Sequence, residues 1–64
     1  MKILQQLGDT VLAEYPDEKI PFVVLIRYNA ETGYLEEAHG YKTMDSAERF
    51  YNAVAKELAN GYRR

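Results

Sequence analysis

One histidine, one serine and no cysteine leave this chain few ways to do chemistry. His39 would serve as a general base only with a carboxylate to orient it and a pocket to receive a substrate. Glu37 stands two residues before it, and residues i and i+2 of a strand share a face, so a hydrogen-bonded pair is open to them. A polar residue on an edge strand is the plainer account. One imidazole without thiolates is too few ligands for a transition-metal centre. A hard-cation site would need Glu36, Glu37 and a loop residue to converge, and no EF-hand-like spacing is present. A place in the first turn of a helix already explains Ser46. Gly8, Gly33, Gly40 and Gly61 fall singly, so no phosphate-cradling loop is visible. A 64-residue fold has little room for a pocket of the usual ~300–1,000 Å3. The expectation is a chain that is not an enzyme and holds no catalytic, cofactor or metal site.

Recognition is better represented than catalysis. Tyr15, Tyr28, Tyr34, Tyr41, Tyr51 and Tyr62 make six tyrosines in a short chain. Tyrosine joins a large apolar body to a polar tip and is enriched at protein interfaces, although small cores also use it at their margins. Eight Lys/Arg against ten Asp/Glu give a formal net charge of −2. That balance disfavours non-specific attraction to nucleic acid, which needs clustered cations.

The elements that must position these residues follow from periodicity. At about 100° per residue, Met1, Ile3, Leu4, Leu7, Gly8, Val11, Leu12 and Tyr15 share one half of a wheel, predicting an amphipathic helix over residues 2–15. The rival is a hairpin turning at Gly8-Asp9, whose strand faces would each mix Gln or Glu with Leu. The helix is preferred, and Pro16 stops it. After the short connection Asp17–Pro21 comes the hairpin that organises the chain, Pro21–Tyr41. Phe22, Val24, Ile26 and Tyr28 face one way from its first strand, and Val23, Leu25 and Arg27 the other. Asn29 and Gly33 supply turn chemistry for the loop between Tyr28 and Tyr34, and those two tyrosines are expected to meet across the strands. The second strand, Tyr34–Tyr41, carries adjacent Glu36 and Glu37, which suggests a bulged, charge-guarded edge. Thr43 is the natural N-cap of a last helix, with Asp45-Ser46-Ala47-Glu48 as a competing start two residues later. Ala47, Phe50, Tyr51, Val54 and Leu58 form its buried stripe, and Asn60-Gly61 ends it.

The expected fold is α+β, one domain over residues 1–64, in the order α-β-β-α with both helices on one face of the hairpin. A strand apolar on both sides is usually covered on both sides, and two helices can cover one face only. The reading therefore adds a homodimer, paired edge to edge or face to face. A chain this short buries only about 60% of the surface its unfolded form exposes, so a second copy or another partner would also add stability. No stretch approaches the ~20 apolar residues of a membrane span, and the cytoplasm is the expected location.

The run Tyr41-Lys42-Thr43-Met44-Asp45-Ser46-Ala47-Glu48-Arg49-Phe50-Tyr51-Asn52-Ala53, about a fifth of the chain, resembles the last strand and helix of AP2-type DNA-binding domains. Those domains read DNA from a sheet that carries arginine and tryptophan. Here the sheet offers Arg27 and Lys42, lacks tryptophan and holds Glu36 and Glu37 nearby, so no residue role is carried across. Three functional expectations result. The first is a protein-binding module acting through Tyr28, Glu31, Tyr34, Glu36 and Glu37. Its size and composition suit an inhibitor or adaptor, such as the short proteins phages and mobile elements use against host defence enzymes. The alternative is a dimeric nucleic-acid-binding regulator using Arg27, Lys42, Arg63 and Arg64, or a structural subunit whose apolar strand another chain completes.

Overall fold

The computed structural model describes the backbone of residues 1–61 and the side chains of residues 1–57. The elements in order are β1 (Lys2–Leu7), β2 (Thr10–Glu14), β3 (Phe22–Ile26), β4 (Glu37–Tyr41) and α1 (Met44–Gly61). The strands form one antiparallel sheet in the order β1-β2-β3-β4, and α1 packs on one of its faces. The α+β class is as expected, while the α-β-β-α order and the first of the two helices are not.

Residues 2–15 form a hairpin because Gly8-Asp9 turns the chain within two residues, bringing Leu7 opposite Thr10. Gly8 takes φ 59° and Asp9 keeps a negative φ, the combination of a II′ turn, whose hand matches the twist of the flanking strands. The Gln6 side-chain amide donates to the Gly8 carbonyl at 3.0 Å and braces the turn. Mixed polar and apolar faces count against a half-buried strand, but β1 is an edge strand that is mostly exposed. It also carries a bulge between Ile3 and Gln5 that breaks its alternation. Its partner β2 is buried on both faces, so Thr10, Val11, Leu12 and Ala13 show no alternation to read.

β3 therefore lies inside the sheet, between β2 and β4. Towards α1, Leu12, Val24, Ala47 and Tyr51 form the main core, flanked by Leu4, Phe22, Ile26, Tyr41, Met44 and Phe50. Burying Leu12 and Val24 completely contributes about 1.5–3 kcal/mol for each side chain. On the other face Val11, Ala13 and Leu25 are between 0% and 4% exposed, packed against Val23 and Tyr28. The double apolarity of Phe22–Ile26 is thus satisfied within one chain, and does not itself call for a second copy.

The helix begins as its cap residue dictates. Thr43 Oγ1 accepts the Ser46 N–H at 3.2 Å, so Thr43 is the N-cap and the later start at Asp45 is not used. Ala47 and Tyr51 are buried, whereas Phe50 and Val54 are half-buried towards the side of β4. The Leu58 side chain and Tyr62 lie outside the described residues.

Candidate functional site

The β3–β4 connection carries most of the residues singled out in the sequence, and its backbone is held by its own side chains. Asn29 Oδ1 accepts the N–H groups of Glu31 at 2.9 Å and Thr32 at 3.2 Å, an Asx turn of the kind asparagine favours. The Gly33 N–H reaches the Asn29 carbonyl at 2.8 Å, with Gly33 at φ 78°. Asn29 N–H donates to the Tyr34 carbonyl at 2.9 Å, which closes the loop as an isolated bridge. The residue across from Tyr34 is therefore Asn29 rather than Tyr28, and the expected tyrosine pair does not form across the strands.

Arg27 explains the shift. It sits at φ 57°, a left-handed conformation uncommon outside glycine, asparagine and aspartate. One such residue ends the strand at Ile26 and reverses the alternation beyond it. Tyr28, expected beside Val24 and Ile26, instead packs on Val11, Ala13 and Leu25 on the face away from α1. Its N–H donates to the Asp9 carbonyl at 2.9 Å, which ties the β1–β2 turn to the β3–β4 connection. The second strand begins at Glu37 rather than Tyr34, and the Glu36 N–H meets the Ile26 carbonyl at 3.3 Å beside the Ile26–Glu37 pair, a local bulge.

These features build a shallow cleft of about 300 Å3 lined by Asp9, Arg27, Tyr28, Asn29, Tyr34 and Glu36. Arg27 Nε meets Glu36 Oε1 at 3.3 Å across it, an exposed ion pair. Beside it Tyr34 and Leu35 are exposed, at 57% and 41%, as Ile3, Leu7 and Ile20 are elsewhere on the chain. Of the protein-binding set, Tyr28, Tyr34 and Glu36 are brought together, and Glu31 lies exposed at the loop tip without lining the cleft. Glu37 departs from the set, because its Oε1 lies 2.8 Å from His39 Nε2 along β4. Asp9 joins the cleft without having been singled out, since a residue assigned to a helix gives no sign of meeting a loop eighteen residues on.

Lys42 sits beyond the far end of β4 from Arg27, so these two cations form no common patch, and Arg63 and Arg64 lie outside the described residues. The His39 ring packs against Phe50 at 4.7 Å between centroids with the planes at 51°. The one histidine thus spends one flank on a carboxylate and another on an aromatic ring. Among the described residues no group of three or more His, Asp or Glu side chains converges as a metal site, and no helix is long and apolar enough to cross a membrane. Burial raises the Tyr51 phenol above its ordinary pKa. Comparison of the chain with protein-family models, curated proteins and solved structures gave no match.

Proposed function

We propose that this chain is a non-enzymatic protein-binding module whose recognition surface is the loop end of the sheet. One observation carries the reading: Tyr34 and Leu35 project into solvent from a connection whose backbone is fixed by Asn29 and Gly33. An aromatic anchor on an ordered loop loses little conformational entropy when it enters a partner's pocket. Asp9 and Glu31 add negative charge around it while Arg27 is already engaged by Glu36. The complement is a protein surface with an apolar pocket and a cationic rim, and an inhibitor or adaptor role fits a domain of this size. The nucleic-acid alternative gains no specific support from this arrangement.

Affinity capture from lysate split into nuclease-treated and untreated halves, with wild-type and Tyr34→Ala baits in parallel, tests the proposal. Truncating a central aromatic anchor costs about 2 kcal/mol or more, roughly a thirtyfold loss of affinity. A discrete protein recovered by the wild type and lost from the variant supports the surface. Equal recovery by both baits, or recovery that depends on nucleic acid, overturns it.

A further inference from the structure

We infer that the free edge of β4 is the seam of a homodimer, in which β4 pairs antiparallel with β4 of a second copy, residues 37–41 lying fully opposite one another. The two edges of the sheet differ. β1 carries a bulge and begins with Lys2, both devices that discourage edge pairing. Within Glu37–Tyr41 the register is unbroken, with no proline and no lysine; the bulge at Glu36 and the charge of Lys42 lie just outside this run. Its one charged residue, Glu37, is hydrogen-bonded to His39.

The hydrogen-bond parity shows what the edge offers. Tyr15 N–H bonds the Pro21 carbonyl at 2.7 Å and Glu36 N–H bonds the Ile26 carbonyl at 3.3 Å. Together with the strand registers, these turn the backbone groups of Val23 and Leu25 towards β2, and those of Phe22, Val24 and Ile26 towards β4. Glu37, His39 and Tyr41 then face β3, and the N–H and C=O groups of Ala38 and Gly40 face outwards. Fully overlapped antiparallel pairing sets Ala38 of each copy against Gly40 of the other, where neither residue has a side chain larger than a methyl group.

Charge complementarity selects this register. It places Lys42 opposite Glu36 of the second copy, at the bulge just outside β4, where the Glu36 carboxylate already meets Arg27 of its own chain at 3.3 Å and gains a second cation; by symmetry this occurs twice. Glu37 falls opposite Tyr41 of the second copy and His39 opposite its own equivalent. A shift by two residues in either direction removes the Lys42–Glu36 juxtaposition. The two-fold axis of such a pair runs perpendicular to the sheet, so both helices stay on one face. Phe50, packed on His39 and Tyr41 beside β4, also lines a groove with Ala53, Val54, Lys56 and Glu57. In such a pair the grooves of the two copies lie on the same face of the sheet, related by the two-fold axis. The seam shares Glu36 with the cleft but not the exposed Tyr34 and Leu35 anchors, so Tyr34→Ala and Ala38→Pro test the two proposals apart.

Sedimentation equilibrium from micromolar to submillimolar concentration provides the test, with circular dichroism to report folding. The wild type is expected to be a dimer, and Ala38→Pro a folded monomer, because the proline removes an outward donor and spares the β3 ladder. Lys42→Glu should weaken dimerisation about tenfold through its two opposed pairs, and adding Glu36→Lys should restore it. A wild type monomeric throughout the range overturns the proposal and leaves the edge to an extended segment of another protein. A folded Ala38→Pro dimer overturns it too. If Ala38→Pro does not fold, the charge exchange decides: a double variant no better paired than Lys42→Glu refutes the register.

Discussion

Thr10 is the one described residue with a fully buried side-chain polar atom and no hydrogen-bond partner, and it lies on the α1 side of β2 at 1% exposure. A hydroxyl without a partner retains its desolvation cost, while valine keeps the shape and the strand preference. Thr10→Val should therefore stabilise the fold by about 1 kcal/mol, read as a higher denaturant midpoint at unchanged slope. Tyr51 gives a pH signature. Burial raises its folded-state pKa above the ordinary value of about 10, so the folded protein holds the phenol proton more tightly. That contribution is complete below about pH 10 and is lost as the pH climbs through the raised value. Tyr51→Phe should flatten the alkaline loss of stability in a series of denaturation curves, with little change near neutrality. At this scale the sequence was readable wherever the controlling partner was close. Thr43 as a cap, Asn29 and Gly33 as turn residues and the Glu37–His39 pair all depend on neighbours within four positions. Arg27 was not readable, since its left-handed conformation is fixed by the surrounding connection and arginine has no preference for it.

At the scale of elements, Gly8 separates the two readings of the N-terminal segment by the sign of one substitution. In the middle of a helix, Gly8→Ala would stabilise by up to about 1 kcal/mol. At φ 59° in a two-residue turn the same change introduces a Cβ into the left-handed region and should destabilise by about 1 kcal/mol. Thermal unfolding of that variant checks the hairpin independently of the rest of the fold. The helical pattern in residues 2–15 came from superposing two strands with different surroundings. The bulged edge strand β1 keeps Leu4 on the core side next to Gln5, and β2 is apolar throughout because both its faces are covered. Neither strand alternates, and without alternation a 3.6-residue period fits by default. The last helix was legible for the opposite reason: one face is dry, the other wet, and a side-chain cap marks its start. Thr43→Ala should cost about 1 kcal/mol by removing that cap, measurable in the same unfolding experiment.

For the whole molecule, reassigning the first segment changes what must be explained. A hairpin with two helices would leave one apolar face to a second copy, whereas the four-stranded meander buries Val11, Ala13 and Leu25 within the chain. The case for dimerisation passes from the strand interior to the free β4 edge. The proposed recognition surface changes as well. It is composed of two connections that meet at one end of the sheet, linked by the Tyr28 N–H and the Asp9 carbonyl. The tyrosine and glutamate content of the hairpin tip could be read from the sequence, while the contribution of Asp9 and the departure of Glu37 required the strand order and the bulge. Helix α1 and the β2–β3 connection lie outside this surface. Amide hydrogen exchange of the chain with and without its captured protein partner is the most direct test of the central claim. Protection confined to residues 28–36 and the turn at Gly8-Asp9 is the predicted result. Protection over α1 or the β2–β3 connection, with the loop end unchanged, would contradict it.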